Sequence, residues 1–463
     1  MAYYQPPCAK YCLLLCLIIT LPGCQIIKEI PYGHGFMAKN LCSGIFVSGL
    51  DEEKLKQDFL GPSVKPLNYV WRIQIDSHQG IVTVSDWVFG SMFKQTAFHR
   101  PGFGCTLLGK SNPGVLVAQT PAPVSYSISS QATWPRGNAP GLSGTVNGVD
   151  YMKLEKAVSQ AFLEPRDTRR QTTAVLVAYQ GKLIAERYAK GITTDSKLMG
   201  WSMAKSVTGS LVGLLSDRHE IDVKELIQLP EWQGTGKESI RIENLLHMAS
   251  GIDYHEKSSG PNADQSRMLY MVERFSDYLL QQPIINQPGT RYNYSTADSM
   301  VLARIIQNKL GGELKHSYRF AQESLFEPIG ITSAVMEYDT SGQLATGAYL
   351  LMKPRDWLRL GQLYLNQGDW FGHQVLSNDW IRYASTPSPA NSRYGAHLWL
   401  NSERKLWPKI PEDAFGFMGY QKQRLIVVPS KSLVVLKMGF SYEKHNDVIN
   451  DLVENIISTL PNQ

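Results

Sequence analysis

From Thr172 to Gly191 the chain reads TTAVLVAYQGKLIAERYAKG. Two apolar, β-branched runs flank Gln180-Gly181, a pattern that predicts a β-hairpin. RLIVVPSKSLVVLKMG, ending at Gly439, repeats the pattern around Pro429-Ser430-Lys431-Ser432. Between these hairpins the apolar spacing changes from two to three or four, which predicts helices. WSMAKSVTGSLVGLL places Met203, Val207, Leu211 and Leu214 on one face, and its small residues Gly209, Ser210 and Gly213 suit close packing. ENLLHMASG, VERFSDYLLQQ, SMVLARIIQNKLGG and DWLRLGQLYLNQG continue a mostly helical middle to about Ser385. VDYMKLEKAVSQAFL precedes the first hairpin as a helix with Met152, Leu154, Val158 and Phe162 apolar, and NDVINDLVENIISTL closes the chain as an amphipathic helix. Strands at both ends with helices between them predict an α/β molecule: one antiparallel sheet built from both ends, flanked by helices, with a helical lobe inserted.

The first part has another texture. Ile26 to about Trp134 reads as β-rich, with WRIQID, GIVTVSDWVF and KQTAFHR between glycine breaks. Pro121 to Gly144 is rich in Pro, Ser and Gly and carries turn chemistry. These shifts place a β-rich region at 25–134, a linker at 135–147 and a second domain at 148–463. Ahead of them, Lys10 precedes YCLLLCLIITL, an apolar run short for a bilayer span but suited to a signal-peptide core.

Composition narrows the function. The 463 residues are 43% apolar and 19% charged with a net charge of +5, a globular balance. No Lys/Arg-rich block is present, so nucleic acid is not an expected partner. Cys8, Cys12 and Cys16 fall in the leader, which leaves Cys24, Cys42 and Cys105. In an exported chain, Cys42 and Cys105 suggest one disulfide, with a pair of free buried thiols as the alternative. His255, Glu256 and His373 are not at zinc spacings and read as surface residues, so the chemistry calls for no metal and no cofactor.

The candidate chemistry starts at Ser202 and Lys205. Serine and lysine at this spacing also occur at Ser91–Lys94, Ser402–Lys405 and Ser441–Lys444, so spacing alone decides nothing. Only Ser202 heads an apolar helix. There the unpaired first-turn N–H groups and the helix dipole favour an alkoxide, and dipole and burial both lower a lysine pKa. Tyr294-Ser295-Thr296 sits in a loop before a further helix, where Tyr294 could share a proton with Ser202. Gly416 and Gly419 precede a strand, where glycines let substrate lie against a sheet edge. Taken singly, Tyr294 reads more readily as a packing residue and the glycines as an ordinary turn before a strand.

In this order and on these supports, the three elements resemble the serine β-lactamase/penicillin-binding-protein superfamily, marked by S-x-x-K with a serine nucleophile. The resemblance is strongest to its class C-like branch of esterases, D-aminopeptidase-type enzymes and 6-aminohexanoate-dimer hydrolases. It covers about Thr172 to Leu460 and includes NLLHMASGIDY and GKLIAERYAKG. It implies a β-lactamase/transpeptidase-like fold with Ser202 as nucleophile, Lys205 as base, Tyr294 as proton shuttle, and an oxyanion site at the N–H groups of Ser202 and Tyr420 beside Gly419. Two boxes depart from the family pattern. Tyr294-Ser295-Thr296 stands where Tyr-x-Asn is usual, and Phe417-Met418-Gly419 where Lys-Thr-Gly or His-x-Gly is usual. Thr296 and Phe417 would then meet a substrate without the usual carboxylate anchor, and no Glu-x-x-Leu-Asn segment offers a deacylating glutamate. Leu21-Pro22-Gly23-Cys24 resembles a lipobox. It implies a lipid on Cys24 and a membrane-anchored address in a bacterial envelope, on the periplasmic face, with Gln25 favouring the outer membrane. The expectation is an envelope serine hydrolase acting on a small or peptide-like ester or amide. A peptidoglycan-directed D,D-carboxypeptidase or β-lactamase-like enzyme, and a non-catalytic envelope binding or scaffold protein, are the alternatives.

Overall fold

The computed structural model describes residues 23–60, 70–163, 171–256, 263–441 and 447–461. Of the expected leader at 1–24, residues 1–22 and the Cys24 side chain lie outside the described residues.

The described residues begin with a helix where strands were expected: α1, Gly23–Cys42. Pro31, two glycines and the polar residues His34 and Lys39 hide its periodicity, yet His34 and Lys39 are both buried. A four-stranded antiparallel sheet follows: β1 Trp71–Asp76, β2 Ile81–Asp86, β3 Gly90–Arg100 and β4 Gly104–Leu107, in that order. Val82 and Val84 alternate inward with Ala97, as a half-covered sheet requires. The sheet ties back to α1 where the His34 ring meets the Phe93 carbonyl at 2.8 Å. Cys42 and Cys105 form a disulfide between the end of α1 and β4.

A buried charge cluster joins this module to the rest. Glu337 pairs with Lys39 and accepts from Ser43 Oγ and the Cys105 N–H, each at 2.8 Å. Removing one partner of such a pair typically costs about 3–5 kcal/mol, because the other charge is left buried alone. The Pro/Ser/Gly-rich segment carries no helix or strand, yet it is pinned down. Trp134 is buried and its Nε1 donates to the Arg355 carbonyl at 3.1 Å, while Arg359 donates to the Pro135 and Gly137 carbonyls.

The second part is built as the two hairpins predict. Helix α2 (Tyr151–Gln160) leads into β5 (Thr172–Tyr179) and β6 (Lys182–Tyr188). On α2, Leu154, Ala157 and Val158 face inward, whereas Met152 is 85% exposed and does not belong to the apolar face. Then come α3 (Ala204–Asp217), α4 (Thr296–Lys309) and α5 (Pro354–Leu365). Strands β7 (Trp399–Leu400), β8 (Phe415–Gly419), β9 (Gln423–Val428) and β10 (Leu433–Gly439) precede the closing helix α6 (Ile449–Ile457). The sheet order is β7-β8-β9-β10-β5-β6, antiparallel throughout, so the last long strand pairs with the first, Val435 opposite Val177. Helices α2 and α6 cover one face; α5 covers the other, so closely that a side chain at Gly361 would strike Val434 at 2.6 Å. Ser202 stands at the edge of this sheet, one short 3₁₀ turn (Trp201–Met203) ahead of α3.

Candidate active site

The turn that presents Ser202 is shaped by its neighbours. Trp201 adopts φ +50, a left-handed conformation costly for a bulky residue and held by packing. A Cβ at Gly200 would meet the Trp357 ring at 2.2 Å. Ser202 is thereby left half-buried at the head of α3, while Lys205, one turn on, is 1% exposed.

Lys205 Nζ has three oxygen neighbours: Ser202 Oγ at 3.1 Å, Thr296 Oγ1 at 2.8 Å and the Gly347 carbonyl at 2.6 Å. Burial lowers its pKa to about 8, against the opposing fields of Glu256 and Asp298. An amine with that pKa is partly neutral near pH 7–8 and competent as a base. Burial holds the Tyr294 phenol well above its ordinary pKa, against a smaller lowering by Ser202. Tyr294 therefore stays protonated. Its ring packs against Trp399 and Tyr394 and lies 5.0 Å from Lys205 Nζ.

Strand β8 closes the site from the other side. Gly419 lies so near the turn that an added Cβ would sit 2.1 Å from the Gly200 carbonyl. The next residue, Tyr420, sets its ring edge-on to Trp201 at 5.5 Å. The end of β8 and the start of the nucleophile turn are thus adjacent, which is the placement two converging backbone N–H donors require. The competing S-x-x-K pairs are elsewhere: Ser91 and Lys94 lie on β3, Ser402 and Lys405 in an exposed turn.

The Beta-lactamase family model matches residues 154–444, well over half of the chain. The chain belongs to the Beta-lactamase family. A relative in Paenarthrobacter ureafaciens, a 6-aminohexanoate-dimer hydrolase, is 26% identical over 233 residues, covering 47% of this chain and 58% of its own length. This family member thus spans little more than half of that relative. Among solved structures, a putative 6-aminohexanoate-dimer hydrolase from Bacillus anthracis superposes with TM-score 0.54 at 22% identity, over 63% of this chain and 81% of the other. A family VIII carboxylesterase superposes with TM-score 0.55 at 16% identity, over 69% and 100%. These two likenesses show the β-lactamase fold.

Within that fold this Beta-lactamase-family chain corrects three expectations. Phe417, expected to line the pocket, is 1% exposed and packs edge-on against Tyr364 of α5 at 5.2 Å. It has no surface to offer a substrate. Thr296 is fully buried, and its hydroxyl is committed to Lys205 on one side and to Glu256 Oε1, at 2.5 Å, on the other. It faces the base rather than a substrate amide. Glu256, read as a surface residue, is half-buried at the site, and its second oxygen accepts the Thr296 N–H at 2.8 Å. Its sequence neighbours His255 and Tyr254 carry no spacing signal toward Thr296, forty residues on, so pattern reading passed it over. His255 is exposed, as is His373. Among the described residues no group of three His, Cys, Asp or Glu side chains is arranged to hold a metal.

Proposed function

We propose that the protein is a serine hydrolase that cleaves an ester or amide through an acyl-Ser202 intermediate. The observation that carries this reading is the buried Lys205 amine, with its pKa lowered to about 8, 3.1 Å from Ser202 Oγ. Ser202 Oγ attacks the substrate carbonyl as its proton passes to Lys205 Nζ. The N–H groups of Ser202 and Tyr420 stabilise the oxyanion. As the bond to the leaving group breaks, the Tyr294 hydroxyl gives that group its proton and is resupplied from Lys205. Water then gives a proton to the same pair, attacks the acyl carbon, and releases the acid and Ser202.

The burial of Phe417 supports substrates without a carboxylate anchored at that position, in keeping with esters and short amides rather than β-lactams. Ser202→Ala is expected to lower hydrolysis of a short-chain p-nitrophenyl ester by at least about 10³-fold; unchanged turnover in the folded variant would overturn the assignment.

We place this activity at the periplasmic face of a bacterial envelope membrane, held by lipid on Cys24. Two features support that reading. Gly23 and Cys24 of the lipobox-like motif lie in the first turn of α1. Trp87, in the β2–β3 turn, and Met92, at the start of β3, are 65% and 73% exposed. Arg72, stacked on Trp87, and Lys94 are the exposed charges there, and Asp86 is buried. Aromatic and basic residues together suit an anionic lipid interface.

A further inference from the structure

Neutral Lys205 has two N–H bonds and one lone pair to distribute among three oxygen neighbours. The Gly347 carbonyl can only accept, and takes one N–H at 2.6 Å. Thr296 Oγ1 is different: a hydroxyl can donate as well as accept. If it donated to Lys205, it would occupy the lone pair needed to take the proton from Ser202. Glu256 removes that freedom. Its Oε1 draws the Thr296 hydroxyl proton at 2.5 Å, while its Oε2 is fixed by the Thr296 N–H at 2.8 Å, a first-turn amide of α4 with no partner inside the helix.

We infer that Glu256 is a positioning residue for the base: by holding the Thr296 hydroxyl proton, it makes that oxygen an acceptor toward Lys205 and leaves the amine's lone pair facing Ser202. The inference rests on the reading of Ser202 as nucleophile and Lys205 as base. In the step it serves, the Ser202 Oγ–H bond breaks, a new Nζ–H bond forms, and Oγ bonds to the substrate carbon. Neither Glu256 nor Thr296 gains or loses a proton.

Glutamine at 256 tests this directly, because an amide cannot mimic the carboxylate. Whichever way it turns, its NH₂ meets a donor. Set against the Thr296 N–H, it leaves two donors opposed. Set against Thr296 Oγ1, it drives the hydroxyl proton toward Lys205. Glu256→Gln also removes a negative charge that favours protonated Lys205. Of the other groups around the amine, Asp298 has its own pKa raised to about 7, by burial first and by Glu256 in smaller part, so the substitution also favours its charged form. Asp298, on α4, also favours the charged amine. Buried His397 is held well below its ordinary pKa and neutral, and Tyr294 is an un-ionised phenol.

The experiment uses the full chain and p-nitrophenyl acetate, with kcat and KM measured across pH for wild type, Glu256→Gln, Thr296→Val, Thr296→Ser, the Gln/Val double variant and Ser202→Ala. Glu256→Gln is expected to lower kcat by about 10- to 100-fold with KM changed by less than about threefold, and to move the acid limb of kcat/KM to lower pH. Thr296→Ser, which keeps the hydroxyl, should restore most of what Thr296→Val loses, and the double variant should be no worse than Thr296→Val alone. A wild-type kcat and acid limb in Glu256→Gln, or losses that multiply in the double variant, overturn the inference. If Glu256→Gln fails to fold, the Val/Ser pair decides: equal losses overturn it, rescue by Ser sustains it. Surviving turnover in Ser202→Ala would instead overturn the nucleophile assignment, so the two failures are separable.

Discussion

Lys205 is where burial and charge oppose each other within the reach of one side chain. Burial alone would strip its proton, whereas Glu256 and Asp298 hold it on, and the balance lies near 8. The base form exists above that pKa, so kcat/KM for a neutral ester is expected to rise about tenfold per pH unit below it and to level off above it. A flat profile from pH 6 to 9 would contradict Lys205 as base. The sequence makes Ser202 and Lys205 legible because their pairing is local, one helical turn apart. Glu256 is illegible for the opposite reason: it reaches the site through a loop, and its partner Thr296 is distant in the chain. Phe417 was misplaced because a motif alignment gives a position on a strand but not how closely α5 covers it.

The elements that position the site are one turn and one strand end. Trp201 holds a left-handed backbone so that Ser202 projects from the head of α3, and Gly419 lets β8 approach that turn to within a bond-like spacing for any added Cβ. Gly419→Ala must therefore push β8 away from Ser202. Displacing one oxyanion donor is worth about 10²-fold in rate, so kcat/KM is expected to fall by that order while the fold persists. A variant with unchanged kcat/KM would remove Tyr420 from the proposed oxyanion site. Both hairpins and α3 were readable from spacing, since each buries a continuous apolar run. Helix α1 was not readable, because its inward face carries His34 and Lys39 where apolar residues are expected. Their partners, Asp86, Phe93 and Glu337, come from distant parts of the chain.

At the scale of the molecule, the N-terminal module, stapled within itself by a disulfide, is joined to the Beta-lactamase-family fold by a buried ion pair, and the Pro-rich segment between them is packed rather than slack. Among the described residues no helix is long and apolar enough to cross a membrane. The proposed attachment rests on the lipid at Cys24 and on exposed Trp87 and Met92. Expressed in a bacterium, the chain is expected in the membrane fraction with a diacylglyceryl-modified N-terminal cysteine. Trp87→Ser/Met92→Ser should weaken binding of the purified, unlipidated body to anionic vesicles by about tenfold or more. Recovery of the native chain in the soluble periplasmic fraction would contradict the anchor.

All of this turns on whether Ser202 is a nucleophile. Treating the folded chain with a fluorophosphonate and weighing it intact, then mapping the modified peptide, tests that without knowing the natural substrate. The account predicts one adduct per chain, on Ser202, formed faster as pH rises toward 8 and absent from Ser202→Ala. A folded protein that takes up no label, or takes it on another residue, would contradict it and favour a binding or scaffold protein on the same fold.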